Sequence, residues 1–240
     1  MFYGLLFRNM LLLFRRNRFA LVALMLAVLP LFSSCLSEED VLMDDQPPIM
    51  YNMLVTVRTD SEGRTYFRLD DQTTLEPVDW TDTLGKQTRA LLYGILLVDE
   101  PSETCSRKVM IRNLTEVPSY GTEAVSDPEK AFSMENTPVI IYDDWITCCE
   151  DGYLTLHVSM LCTSSAGPGS FRLLCDRDDR GSFYLMREKD GSGTRSWRDF
   201  VIAFSLEEVL SGLEDPLDEI VLNNYSYYGF VSIPFPWTGK

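Results

Sequence analysis

The chain has 240 residues and carries 36 Asp plus Glu against 21 Lys plus Arg, a formal charge of −15 with a single histidine. No Lys/Arg stripe interrupts this acidity, so phosphate backbones and anionic lipid surfaces are excluded as electrostatic partners and no nucleic-acid binding is expected. The charge argues for a soluble, repulsive exterior.

Residues 1–34 read as a lipoprotein signal peptide. Arg8, Arg15, Arg16 and Arg18 form a positive n-region, and Phe19 to Phe32 forms an apolar h-region. That run is too short to span a bilayer, which takes roughly 20 apolar residues. It ends in Leu31-Phe32-Ser33-Ser34-Cys35, where two small residues before a cysteine resemble a bacterial lipobox. Cys35 is therefore the expected lipidation site and new N-terminus, attached to the membrane by acyl chains that each gain about 0.8 kcal/mol per buried methylene. Removing four positive charges and no acids takes the formal charge from −15 to −19. Ser37, Glu38, Glu39 and Asp40 follow at once and resemble the acidic export signal of outer-membrane lipoproteins that face the cell exterior. Residues 35–48, acidic and closed by Pro47-Pro48, read as a stiffened tether.

From residue 49 onward, short runs rich in Val, Ile, Leu, Thr and Tyr alternate with turn residues, the pattern of an all-β protein. Leu54–Arg58, a turn at Asp60–Gly63 and Thr65–Asp70 make a hairpin, and Thr74–Val78 continues it. Arg89–Val98 is nearly continuous in apolar residues, as in a strand curling around a barrel, with Gly94 at the bend. Lys108–Leu114 completes five strands, so residues 49–117 are expected to form a small OB-like barrel.

Residues 118–138 are polar and read as a linker, with Asp127 before Pro128 suiting a helical turn. Residues 139–240 resume strand patterning. In Tyr153–Met160 the alternation is strict: Leu154, Leu156, Val158 and Met160 face one way, Tyr153, Thr155, His157 and Ser159 the other. Phe171–Cys175 is expected to return antiparallel, followed by strands at Ser182–Arg187, Asp199–Phe204, Asp218–Leu222 and Tyr228–Ile233. Ser205 with Glu208 three residues on has the form of a capping box opening one short helix. The expected fold is a small OB-like barrel followed by an antiparallel β-sandwich with one short helix.

A lipoprotein signal, a barrel with one long apolar strand, and a sandwich opening on Asp151-Gly152-Tyr153-Leu154 and closing near Tyr228-Gly229-Phe230-Val231 together resemble the NigD-like family of Bacteroidota lipoproteins. That resemblance implies an N-terminal OB-type domain, a C-terminal β-sandwich and a link to bacteriocins. It implies no catalytic activity.

The residues themselves offer little chemistry. His157 needs a nucleophile and an orienting acid to be catalytic, and reads as a surface or interface imidazole. Asp176–Gly181 starts like a calcium loop, but Arg180 and Arg187 occupy ligand positions, so a charged hairpin turn is expected and no metal. The acid pairs Asp44-Asp45, Asp70-Asp71 and Asp143-Asp144 could form a glycosidase-like couple only if folding brought two of them together. Besides Cys35 there are five cysteines; Cys162 and Cys175 could pair across a hairpin, or all five could be small buried hydrophobes. Tyr225, Tyr227 and Trp237 are candidate contacts for a partner, with Trp145 and Trp197 open to either core or surface. The expectation is a surface-displayed, lipid-anchored protein that is not an enzyme, needs no cofactor, and binds a protein such as a bacteriocin or another envelope component. A glycan-binding accessory protein is the alternative, and a hydrolase the third.

Overall fold

The computed structural model describes residues 48–78, 80, 87–134, 137–163, 167–188, 193–211 and 217–237. Cys35 and the Ser37–Asp40 run lie outside them. Within this region the chain is almost entirely β, and two of its three apolar clusters each fill one module.

The first module is a closed five-stranded barrel of β1 (Ile49–Thr59), β2 (Thr65–Arg68), β3 (Thr74–Val78), β4 (Thr88–Leu97) and β5 (Arg107–Glu116), in the order β1-β2-β3-β5-β4. Alternate residues of the curled strands point inward, so Val55, Val57, Phe67, Leu75, Leu92 and Val109 close its core. Two irregularities bend the sheet enough to close. Asn52, at φ 50°, sits where the β1–β4 register shifts, and the β4–β5 register shifts between Tyr93 and Gly94. At Gly94 the strands approach so closely that a Cβ would stand 2.8 Å from the Met110 carbonyl oxygen and 3.1 Å from Val109 Cγ2.

The second module is a sandwich of two mixed sheets. One runs β6 (Ser119–Tyr120), β13 (Arg195–Ser205), β10 (Tyr153–Thr163), β8 (Ile140–Ile141), with β9 (Cys148–Glu150) also on β10. The other runs β15 (Gly229–Pro236), β14 (Glu219–Ser226), β12 (Ser182–Arg187), β11 (Phe171–Asp176), β7 (Thr122–Val125). Between them lie Leu154, Leu156, Val158 and Met160 of β10, as the alternation demands, against Leu173, Phe183, Leu222 and their neighbours.

Several elements differ from the sequence expectation. Segment 118–138, read as a linker, supplies β6, β7 and helix α1 (Pro128–Met134), and both strands add in parallel to the sandwich edges. The β12–β14 contact is parallel too, so the sandwich is not purely antiparallel. β11 does not fold back on β10 but opens the opposite sheet. Cys162 and Cys175 therefore belong to different sheets, both thiols are free and buried, and the suggested disulfide is not formed. The capping box is also absent: Ser205 ends β13, and helix α2 (Glu207–Leu210) starts from Leu206 with no side-chain cap. Apolar burial of Leu206, Val209 and Leu210 holds this single turn instead. Among the described residues no helix is long and apolar enough to cross a membrane.

Gly94→Val should destabilise the protein by about 1–3 kcal/mol, because the rigid carbonyl of Met110 has to move to admit the side chain. Urea unfolding of the purified domain measures this, and an unchanged midpoint contradicts the close approach.

Candidate functional site

Three arginines of the barrel reach across to the sandwich. Arg89, near the start of β4, is 1% exposed. Its Nη1 donates to Thr56 Oγ1 at 2.7 Å in the barrel, its Nε to Thr155 Oγ1 at 3.2 Å on β10, and its Nη2 to Cys148 Sγ at 3.7 Å on β9. No carboxylate of the described residues lies within 4 Å of it. Leu54, Val117, Tyr153 and Ala203 seal the seam around it.

Beside this bolt lies an ionic clasp. Asp151 and Gly152 are the two central residues of the β9–β10 hairpin, at φ 54° and 80°, the left-handed pair for which Asp-Gly is a preferred solution. The tight turn aims the Asp151 carboxylate at the barrel. Arg58 Nη2 donates to Oδ1 at 2.5 Å and Nε to Oδ2 at 3.2 Å, while Arg68 Nη1 stands 3.0 Å from Oδ1. Arg68 also holds Asp71 at 2.7 Å.

A cavity of about 490 Å³ opens at this seam, lined by Asp70, Asp71, Arg89, Glu150 and Asp151 among others. Folding thus brings one predicted acid pair, Asp70-Asp71, to two further carboxylates. Partial burial of Asp70 favours its neutral form, but bonds from the Gln72 and Thr73 turn outweigh this and hold the carboxyl below its usual range. Cys148 and Cys149 go the other way: burial pushes their thiols up to about 11 and about 12, so both stay protonated at neutral pH.

The outer face of the β13–β10–β8 sheet carries a second arrangement. His157 has an orienting acid that its sequence neighbours did not reveal: Asp144, 13 residues upstream, accepts from Nδ1 at 2.6 Å. The Tyr142 ring packs 4.6 Å from the imidazole, and its hydroxyl donates to Asp199 Oδ1 at 3.3 Å. One rung further, Trp197 and Tyr227 meet at 4.8 Å between ring centroids with planes 54° apart, and Tyr227 Oη accepts from the Leu161 amide. Tyr227 is 37% and Trp197 51% exposed.

The remaining sequence candidates are scattered. Tyr225 is exposed on β14 opposite Phe230, whereas Trp237 packs against the sandwich core. Asp176–Gly181 is the β11–β12 hairpin turn, its acids accepting from Asp178, Asp179 and Gly181 amides and its Arg180 donating to the Val209 carbonyl. Two signals in the sequence marked what was missed: Asp151-Gly152 as a tight turn, and the less apolar face of β10, which carries Thr155 and His157.

A closed five-stranded barrel joined through one buried and two half-buried arginines to a two-sheet sandwich defines a two-module all-β class. No protein-family model matches the chain, and no curated protein matches it. Solved structures do share the fold. A candidate toxin-related protein from Parabacteroides distasonis superposes at TM-score 0.61 with 19% identity, covering 79% of this chain and 92% of its own. A candidate lipoprotein from Bacteroides fragilis gives 0.53 and 18%, covering 78% and 97%. A NigD-like immunity protein from Bacteroides caccae gives 0.50 and 16%, covering 79% and 92%. The barrel–sandwich order implied by the NigD-like resemblance is therefore present in a solved structure of that description.

Two outcomes are expected. Arg89→Ala should cost about 2–4 kcal/mol by leaving the Thr56 and Thr155 hydroxyls buried without a donor. Arg89→Lys should recover only part of that, since one ammonium lacks the planar fork that reaches three acceptors; urea denaturation of both variants checks this, and wild-type stability of the lysine variant contradicts it. Asp144 supplies the second. Partial burial opposes its ionisation, but His157 and the Ile146 and Thr147 amides prevail and hold its carboxyl below the usual value near 3.9. The stability it contributes is complete above that value and is lost as pH falls through the lowered one. Asp144→Asn should flatten the acid limb of the stability curve between about pH 5 and 3, and superposable limbs contradict the reading.

Proposed function

We infer that the chain is a lipid-anchored envelope protein, displayed on the outer face of the outer membrane, that acts by non-catalytic binding of a protein or glycan ligand. The observation that carries the binding reading is the set of exposed rings at one end of the sandwich, where Trp197, Tyr225, Tyr228 and Phe230 are each more than 40% exposed. Large rings left in water are costly unless something covers them, and such patches mark interaction sites. Cys35 at the end of its apolar leader supports the anchor, as does the shared fold with a candidate lipoprotein. An immunity-like role, in which the ligand is a toxic protein, is supported by the shared fold with a NigD-like immunity protein.

A hydrolase at the seam is a second reading, favoured by four carboxylates on one cavity. It is the weaker one. A general acid needs a carboxyl raised toward neutrality, whereas Asp70 is lowered and Asp151 sits between two guanidinium groups.

Cys35→Ser should move the protein from the membrane to the soluble fraction, and surface protease should digest the wild-type chain on intact cells. Membrane fractionation of the serine variant and protease shaving test these two points. Membrane retention of the variant overturns the anchor, and full protection from protease overturns surface display. Affinity capture from intact envelopes with the mature domain tests binding; repeated absence of a saturable ligand counts against it.

A further inference from the structure

On the outer face of the β13–β10–β8 sheet, rings and hydrogen-bonding groups alternate in a single row. Residues 161, 159 and 157 of β10 pair with Trp197, Asp199 and Val201 of β13, and each rung advances about 6.8 Å along the strand. Trp197 with Tyr227 occupies the first rung. Asp199, holding the Tyr142 hydroxyl, occupies the second. His157, under the Tyr142 ring and held by Asp144, occupies the third. The row is therefore ring pair, carboxylate, ring and imidazole over about 14 Å. Tyr142 crosses β10 to reach Asp199, and Ser159 between them is left only 5% exposed.

Resting on the binding reading above, we propose that this row is a saccharide platform that takes an uncharged oligosaccharide, its sugar rings stacked on Trp197 and Tyr142 and its hydroxyls bonded to Asp199 and His157. Three features select this occupant. Exposed ring faces offer apolar contact to the C–H face of a sugar ring, and the tyrosine and histidine rings also carry polar tips. Asp199 and Asp144 accept hydrogen bonds that hydroxyls can donate, and in a chain of formal charge −15 they repel anionic ligands. A protein-binding patch gathers its apolar groups at the centre and keeps charge to the rim, whereas here a carboxylate stands between the rings. Tyr142 and His157 are also fixed in advance by Asp199 and Asp144, so little side-chain freedom is lost on binding.

The recombinant mature chain, both modules included, is titrated calorimetrically with cellohexaose, xylohexaose, mannohexaose and maltohexaose, then applied to a broad array of neutral and acidic glycans. Saturable binding of at least one neutral glycan is expected, with uronic-acid and sulfated glycans failing to bind. Trp197→Ala should weaken the bound glycan tenfold or more, and Asp199→Asn several-fold. Tyr51→Ala, on the barrel where its exposed ring stacks on Tyr93 away from the row, should leave affinity unchanged. Circular dichroism and urea midpoints confirm that the variants fold; Trp197→Phe, which keeps a ring, should restore part of the affinity if the alanine variant is unstable. No neutral glycan bound at millimolar concentration, binding indifferent to Trp197→Ala, or preference for acidic glycans each overturns the platform. A wild-type chain that binds a saturable protein ligand while ignoring every glycan overturns it as well and leaves the anchored-binding reading standing.

Discussion

A buried guanidinium with no carboxylate of the described residues within 4 Å of it organises this molecule. Arg89 is paid for by hydroxyls, a thiol and the Tyr153 ring, whose centroid lies 6.0 Å away. Each partner is neutral, so the charge is solvated without being cancelled, and every donor needs its acceptor in place. Two acceptors lie on the sandwich and one in the barrel. Separating the barrel from the sandwich therefore breaks two of the three hydrogen bonds that solvate this cation. The ionic clasp of Arg58 and Arg68 on Asp151 works on the same seam with the opposite logic, since there the charges do cancel and the pair is half open to water.

That seam fixes the orientation of β10. Tyr153 and Thr155, at the barrel end of the strand, are held by the arginine bolt and by the Asp151-Gly152 turn just before them. Side chains alternate along a strand, so anchoring Thr155 outward commits His157, Ser159 and Leu161 to the same outward face. The row that carries Tyr142, Asp199 and Trp197 thus follows from the seam at one end and the buried Leu154–Met160 face at the other. A one-residue slip of β10 would bury His157 and expose the core.

Much of this was legible in the residues. The strict alternation of β10, the turn at Gly63 and the long β4 with its Gly94 all appear where the patterns place them, because each is a local consequence of side-chain period or backbone freedom. What escaped was nonlocal. Ser119–Tyr120 and Thr122–Val125 are too short and too polar to show a period, and only the sheet edges they join make them strands. Cys162 and Cys175 looked like hairpin neighbours because sequential strands usually pair, yet the chain crosses to the other sheet between them. Asp144 and His157 meet through the loop that follows β8, and Arg89 meets Thr155 across 66 residues. Ser205 illustrates a local signal losing to packing: its backbone is drawn into β13, where its carbonyl accepts from Thr122, and the helix starts one residue late without a cap.

The acidity of the chain acquires a structural sense from these placements. Among the described residues the arginines that form ion pairs are committed to carboxylates of the same molecule: Arg58 and Arg68 to Asp151, Arg64 to Asp60, Arg172 to Glu123. Arg89 is sealed inside. Cations are thus spent on holding turns and the seam, and the excess acids are left to face solvent. An exterior of that kind repels anions and other copies of itself. The rings on the β13–β10–β8 face and at the β14–β15 tip are where uncharged groups are exposed, so a ligand of the kind proposed would meet ring faces and hydroxyl-scale hydrogen bonds, with long-range charge excluding anionic ones.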